Sequence, residues 1–205
     1  MYLTKLELDL RNPGIRAALQ DAQKLHRLVT GLFQYARKDA QLLFRCRGRG
    51  ICTDLYMYSA CPIDPARILP GMRLAAQRDV TFWLESMEPG DVFSFQLVTA
   101  PFRKAAEDGA RNSRRRALRT REERLAWLQR KAEQGGFQLL SAEEAPAEKL
   151  VARHPASSGG SLTVDACCYS GFLRVEDAER FRKTVACGIG PEKAYGLGML
   201  LLKRG

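Results

Sequence analysis

The sequence of 205 residues has only two histidines, no long apolar run and no Cys-x-x-Cys pair. No apolar stretch approaches the roughly 20 residues of a membrane-spanning helix. The opening residues, with Lys5 and Glu7 among them, also lack the apolar centre of a signal peptide. The six cysteines lack metal-ligand spacing, which favours reduced, packed thiols. We therefore expect a cytoplasmic protein that uses no metal and no cofactor.

The chain carries a large excess of positive charge. Lysine and arginine number 33 against 23 aspartates and glutamates, which gives a formal charge of +10. A hydrophobic fraction of 45% is enough for a globular protein to bury a core, so the chain is not a disordered tail. The basic excess indicates an anionic partner, most simply a nucleic acid, although an acidic membrane surface also fits it.

The first 88 residues follow the order strand, helix, strand, strand, short helix, strand. Residues 2–10 alternate as in a strand, and residues 42–44, 51–59 and 74–82 predict three more, with a turn at 47–50. Asp21 is predicted to cap the start of a helix, and Pro65 is predicted to occupy the first position of a second, short helix. The first helix has an apolar stripe of Ala22, Leu25, Val29, Leu32 and Phe33. This order is typical of a ferredoxin-like unit.

Pro89-Gly90 interrupts the pattern, which predicts two domains, 1–88 and 91–205. In the second, residues 92–98 predict a strand, and Thr120 with Glu123 forms a capping box for a helix that ends at Gly135-Gly136. Further strands are predicted at 137–140, near 150–151 and within 161–173, with 143–160 mostly loop, before a last helix that ends at Gly188. The predicted fold is α+β, with two tandem ferredoxin-like (RRM-like) domains.

A basic segment lies between the first strand and the helix of the second unit. Residues 101–131 contain eleven lysines or arginines and four acidic residues, which is typical of a polyanion-binding surface. No aromatic residues alternate with these charges, so a structured RNA or a duplex is favoured over stacked single-strand bases. We predict a loop or arm that binds RNA through Arg103, Lys104, Arg111, Arg114, Arg115, Arg116 and Arg119; a merely solvated loop is the alternative.

A glycine-rich segment, residues 188–198, precedes the last strand. The absence of Lys-Ser/Thr after it, and the strand that follows, exclude a Walker loop. Such a backbone can approach a ligand closely and point N–H groups at phosphate. We predict that it contacts RNA through Gly188, Gly190, Lys193, Gly196 and Gly198; a flexible hairpin is the alternative.

Several ordered segments together carry a family resemblance. They are residues 1–6, Leu25-His26-Arg27, residues 95–101, 123–131, 135–137 and 169–171, and the glycine-rich segment with Lys193 and Tyr195. The chain resembles the CasE/Cse3-type CRISPR repeat-processing endoribonucleases of type I-E systems. The resemblance spans nearly the whole chain, and its specificity lies in the ordered set.

The resemblance implies two ferredoxin-like domains that hold a CRISPR repeat hairpin of precursor RNA. It implies metal-independent cleavage at the 3′ base of the hairpin, in which a 2′-hydroxyl attacks the adjacent phosphate and leaves a 2′,3′-cyclic phosphate. Members usually stay bound to the product and join the Cascade surveillance complex. His26 matches the catalytic histidine of the family, and an imidazole can exchange protons near neutral pH. His154 matches no motif.

Two positions near His26 depart from the family pattern. Gln23 stands where members commonly have a tyrosine, and Gly31 where some have a lysine. Residues that could help His26 instead are Lys24, Arg27, Tyr35 and Arg37. A non-cleaving repeat-RNA-binding subunit is therefore an alternative to the enzyme. A basic ribosome-associated or DNA-binding protein would fit the charge but not the ordered segments.

Overall fold

The structure is a computed structural model that describes residues 1–34, 40–49, 51–105, 114–146, 150–153 and 161–204. In a few strand residues, 104–105 and 114–115 among them, it describes the backbone alone. No helix in these ranges is long and apolar enough to cross a membrane.

The first half of the chain forms one antiparallel sheet. Its strands are β1 (Tyr2–Asp9), β2 (Leu43–Arg49), β3 (Cys52–Ser59) and β4 (Met72–Asp79). They lie in the order β2-β3-β1-β4. The helical segments are α1 (Pro13–Leu19), α2 (Ala22–Thr30), a 3-10 turn (Pro65–Arg67) and α3 (Thr81–Glu85).

The alternation of β1 and the apolar stripe of α2 meet in one core. Leu6 and Leu8 are fully buried and pack with Val29 and Leu32. The carboxylate of Asp21 accepts a hydrogen bond from the backbone N–H of Gln23, as expected of a helix cap. This packing fixes α2 against one face of the sheet.

The second half repeats the same arrangement. Its sheet contains β5 (Val92–Thr99), β8 (Phe137–Pro146), β11 (Cys167–Val175) and β12 (Leu200–Arg204), in the order β12-β5-β11-β8. Two separate hairpins pair β6 (Phe102–Ala105) with β7 (Arg114–Ala117), and β9 (Leu150–Arg153) with β10 (Ser161–Val164). The helices are α4 (Arg121–Gln134) and α5 (Ala178–Cys187), and a 3-10 turn spans Lys193–Tyr195. Both sheets therefore have the ferredoxin-like strand order, and the predicted α+β fold is confirmed.

One core cluster joins the two halves. Leu43 and Tyr58 of the first sheet pack in the same cluster as Phe93, Trp127 and Phe181 of the second half. The sheets lie on either side of Pro89-Gly90, which supports the division into 1–88 and 91–205 that we propose. The shared cluster means that the two units hold each other in place.

The structure adds one helix and corrects three local predictions. The helix α1, which the sequence analysis did not predict, begins at Pro13 because the Asn12 side chain accepts hydrogen bonds from the backbone N–H groups of Gly14 and Ile15. The turn predicted at 47–50 is shorter, because Arg47 to Arg49 continue β2. The predicted fourth strand stops at Asp79, and α3 occupies 81–85. Within the region 143–160, predicted as mostly loop, β8 continues to Pro146, whereas the strand predicted near 150–151 is confirmed as β9.

Candidate nucleic-acid interface

His26 lies on the second turn of α2. Leu25 and Val29 point into the core beneath the helix, whereas His26 is half-buried on its flank. The carbonyl of His26 accepts a hydrogen bond from the Thr30 hydroxyl at 2.9 Å, and the Nδ1 atom of the ring is shielded from solvent. The ring therefore lies partly buried at the edge of a core, as the flanking position in the sequence predicts.

Tyr195 of the second half lies against His26. The two rings meet edge to face, with centroids 6.4 Å apart and an interplanar angle of 81°. Burial, and secondarily the charge of Glu192, raise the pKa of the Tyr195 phenol, so it stays protonated at neutral pH and can donate a hydrogen bond. We identified Tyr195 in the sequence only as part of the family resemblance. No local signal pairs it with His26, because the contact joins distant parts of the chain.

The glycines of the segment 188–198 are required by contacts within the protein. Gly188, Gly190, Gly196 and Gly198 all have φ between 72° and 90°. A Cβ on Gly196 would lie 2.9 Å from Cε2 of Phe44, and one on Gly190 would lie 2.2 Å from Oγ1 of Thr99. The sequence prediction explained these glycines by approach to RNA. The structure gives a different reason, and contact of this backbone with RNA stays a prediction.

A basic recess adjoins the glycine-rich segment. It has a volume of about 330 Å³ and is lined by Phe102, Lys131, Lys193 and the segment from Gly188 to Pro191. Phe102 is the first residue of β6, so the recess connects the glycine-rich segment to the base of the β6–β7 hairpin. Two lysines at its wall make it a suitable place for an anionic group.

The basic segment predicted as a loop or arm contains a β-hairpin. β6 and β7 pair antiparallel, with Arg103 directly opposite Arg116 and Lys104 opposite Arg115. Arg103 and Arg116 are both exposed, and like charges directly opposite each other on two strands are unfavourable. A bound polyanion would remove that repulsion. Glu123 offsets part of it, since its carboxylate lies 3.7 Å from Arg103.

A wider groove follows the hairpin toward the start of α4. It has a volume of about 960 Å³, and its lining includes Arg103, Arg116, Arg119 and Arg124. Arg124 is held by the carboxylate of Glu144 at 2.5 Å, so its charge is already paired. Arg103, Arg116 and Arg119 are the exposed cations of this groove. Of the predicted RNA-binding arginines, these three are therefore brought to one surface.

Other predicted site residues are distributed differently. Lys24 and Arg27 are exposed on α2, and Gln23 is half-buried three residues before His26. The side chains of Lys104, Arg114 and Arg115 are outside the description, although their backbones lie in the hairpin. Arg111, and the residues Tyr35, Arg37 and His154 that we weighed as helpers or bystanders, lie outside the described ranges.

The two four-stranded sheets define an α+β protein of two ferredoxin-like domains. Its basic surfaces lie on the second half, and His26, the one histidine among the described residues, lies where the two halves meet. The model of the family of CRISPR associated proteins matches residues 1–204, so the chain belongs to that family. Within it the chain is of the CasE/Cse3 type, which confirms the resemblance drawn from the sequence.

The relatives cover almost the whole chain. The CRISPR-associated endoribonuclease Cse3 of Thermus thermophilus is 31% identical over 215 residues, with 98% of each sequence covered. A solved structure of Cse3 bound to a 19-nucleotide RNA matches with a TM-score of 0.86 and 29% identity, over 99% of this chain and 100% of that one. A chain of a CRISPR RNA-guided surveillance complex, in a pre-nicking state, matches with a TM-score of 0.75 and 25% identity over all of both chains.

Proposed function

We propose that the protein is an endoribonuclease that cleaves CRISPR repeat hairpins in precursor RNA. The reaction is the attack of a ribose 2′-hydroxyl on the adjacent phosphate, which leaves a 2′,3′-cyclic phosphate and a 5′-hydroxyl. The contact between His26 and Tyr195 carries the proposal, because it brings two proton-bearing groups from the two halves of the chain to one place.

The two side chains have different roles in this reaction. An imidazole titrates near neutral pH, so His26 exchanges a proton with the attacking or the leaving oxygen. Tyr195 remains a neutral phenol because its pKa is raised, and its hydroxyl donates a hydrogen bond to a phosphate oxygen as negative charge develops there. Neither role needs a metal ion. We therefore propose that cleavage is metal-independent.

Tyr195 can also replace the tyrosine that family members commonly have at the position of Gln23. An amide can donate and accept hydrogen bonds but cannot act as an acid or a base. In our proposal the phenol missing from α2 is supplied by the 3-10 turn Lys193–Tyr195, which packs on that helix. Lys24 and Arg27, exposed on the same helix, are left to contact the RNA backbone.

RNA binding is assigned to the basic surfaces of the second half. The β6–β7 hairpin and the groove beside it offer Arg103, Arg116 and Arg119, and the recess beside the glycine-rich segment offers Lys193. We propose that these cations hold the phosphates of the hairpin stem, as arginines do in bidentate phosphate contacts. The related Cse3 structure contains a 19-nucleotide RNA, which supports an RNA of this size as the ligand.

We further propose that the protein stays bound to its product and joins a Cascade-type complex in the cytoplasm. The similarity to a chain of a CRISPR RNA-guided surveillance complex over its full length supports this partner. A second candidate function, a repeat-binding subunit without activity, is favoured by one observation: Gln23 and Gly31 replace two side chains expected around His26.

Incubation of labelled repeat hairpin with the protein in EDTA distinguishes these functions. The enzyme produces a fragment with a cyclic-phosphate end, and a scrambled hairpin of equal length stays intact. Tight binding without any product supports the subunit. Equal affinity for unrelated duplexes contradicts both and supports a general nucleic-acid-binding protein.

A further inference from the structure

Arg45 is a buried cation at the junction of the two halves. It lies on β2, an edge strand of the first sheet, and the residue is only 7% exposed. Its Nη2 donates to the Sγ atom of Cys168 on β11, at 3.7 Å. A thiol is a weak acceptor, so this contact does little to satisfy a guanidinium charge.

The remaining donors of Arg45 have no partner within the part of the chain that the structure describes. Nε and Nη1 are buried, and neither makes a hydrogen bond there. None of the ion pairs between described residues includes Arg45, and burial lowers the pKa of its guanidinium. A buried charge without a counterion is strongly unfavourable for folding. A buried cation that destabilises the fold in this way is expected where a bound anionic ligand supplies the missing counterion.

The surroundings of Arg45 are suited to such a ligand. Arg45 lines a cleft of about 640 Å³, together with Tyr195 and Gly196 of the glycine-rich segment. The cleft also has apolar walls, which include Leu25, Phe44 and Leu197. Because Tyr195 lines the cleft and also contacts His26, the cleft adjoins the proposed catalytic pair. Its volume is within the range of small-molecule sites and can admit one nucleotide.

We propose that Arg45 is the anchor of a phosphate-binding site in this cleft. Nε and Nη1 are shielded from solvent in the structure, so binding requires the side chain to turn until they donate to a phosphate oxygen, which satisfies the buried charge. Two sources have the required chemistry: a phosphate of the bound RNA near the cleavage point, and free inorganic phosphate or a mononucleotide. The RNA source rests on the proposed function, whereas the site itself does not.

The first test is thermal unfolding in phosphate-free buffer of fixed ionic strength. Arg45→Met replaces the guanidinium with an apolar side chain of similar length, so we expect the melting temperature to rise by about 2–4 °C or more. Inorganic phosphate, compared with chloride at equal ionic strength, should stabilise the wild-type protein and not the variant. Arg78→Met, on the exposed face of β4, is the matched control and should respond to phosphate like the wild type.

The second test is the affinity for repeat hairpin RNA. If an RNA phosphate occupies the site, Arg45→Met should weaken binding about tenfold or more and reduce the log-log salt slope by about one unit. Arg45→Lys keeps a charge without the bidentate geometry, so an intermediate affinity is expected; it also serves if the methionine variant does not fold. A phosphate-dependent melting shift with unchanged RNA affinity would assign the site to free phosphate.

The proposal is overturned if Arg45→Met melts lower than the wild type and phosphate stabilises both equally. Arg45 would then be an internal link between the halves through Cys168. Failure of the proposed function is a different result: a wild-type protein that neither cuts nor prefers repeat RNA. The phosphate-dependent melting shift would still decide the role of Arg45 in that case.

Discussion

The contact between His26 and Tyr195 brings together two side chains with different chemical properties. The imidazole can exchange protons near neutral pH, whereas the phenol keeps its proton because its pKa is raised and acts as a hydrogen-bond donor. The edge-to-face contact also limits how the imidazole can turn. Tyr195 therefore has two separable contributions, its hydroxyl and its ring.

Tyr195→Phe should separate these contributions. The phenyl ring still contacts His26, but the hydrogen bond to the developing charge is removed, so single-turnover cleavage should fall about tenfold. Because the raised pKa keeps the phenol protonated at both pH values, the reduction should be equal at about pH 6 and about pH 8. Tyr2→Phe, which removes a phenol on β1, is the control. A Tyr195→Phe variant that cuts at the wild-type rate would exclude a role for the hydroxyl.

Among the elements, the glycine-rich segment depends on packing that one methyl group would disturb. Gly196 has a φ of 85°, and a Cβ there would lie 2.9 Å from Phe44. We expect Gly196→Ala to cost about 2 kcal/mol or more of unfolding free energy, from the left-handed backbone and the displaced Phe44 ring together. It should also slow cleavage, because this segment holds Tyr195 against His26.

Gly90→Ala is the matched control for the backbone conformation. Gly90 has a φ of 96°, yet a Cβ there would meet nothing within 4 Å. Its alanine variant should therefore lose only the backbone part, about 1 kcal/mol. Equal melting temperatures for the two variants would mean that the Phe44 ring moves aside at little cost.

The β6–β7 hairpin makes a different prediction, on salt dependence. Replacing Arg103 and Arg116 with alanine should reduce the log-log salt slope of RNA binding by up to about one unit for each phosphate that the protein no longer neutralises. Stability should not fall, because the substitutions remove two facing positive charges. The double variant Arg78→Ala, Arg174→Ala removes the same charge from other exposed strand positions. An equal slope change in both double variants would remove the hairpin from the interface.

Local patterns in the sequence were sufficient to predict most helices and strands, but not the contacts that form the candidate site. The caps at Asp21 and Thr120 and the alternation of β1 and β5 depend on neighbours in sequence, and these predictions were confirmed. The need for glycine at Gly196 depends on Phe44, and the partner of His26 comes from the other half of the chain. Contacts of this kind leave no periodic signal in one sequence.

For the whole molecule, the proposed reaction requires both ferredoxin-like units in one arrangement. The first supplies His26, and the second supplies Tyr195, the glycine-rich segment and the basic hairpin. The core cluster that contains Leu43 and Tyr58 with Phe93 holds the units together. In our proposal, RNA binding uses a broad basic surface, whereas cleavage depends on the single contact between His26 and Tyr195. Binding and cleavage should therefore respond separately to substitution.

The central claim is that His26 exchanges a proton during cleavage. The measurement is single-turnover cleavage of a labelled repeat hairpin by His26→Ala in EDTA, with affinity and melting temperature measured on the same sample. His154→Ala, at the other histidine, is the control. We predict a rate lower by about 10² to 10⁴. Affinity should change little, and stability by about 1 kcal/mol or less, because His26 is half-buried at the flank of its helix. Cleavage at the wild-type rate, or an equal collapse of rate, affinity and stability, would contradict this role for His26.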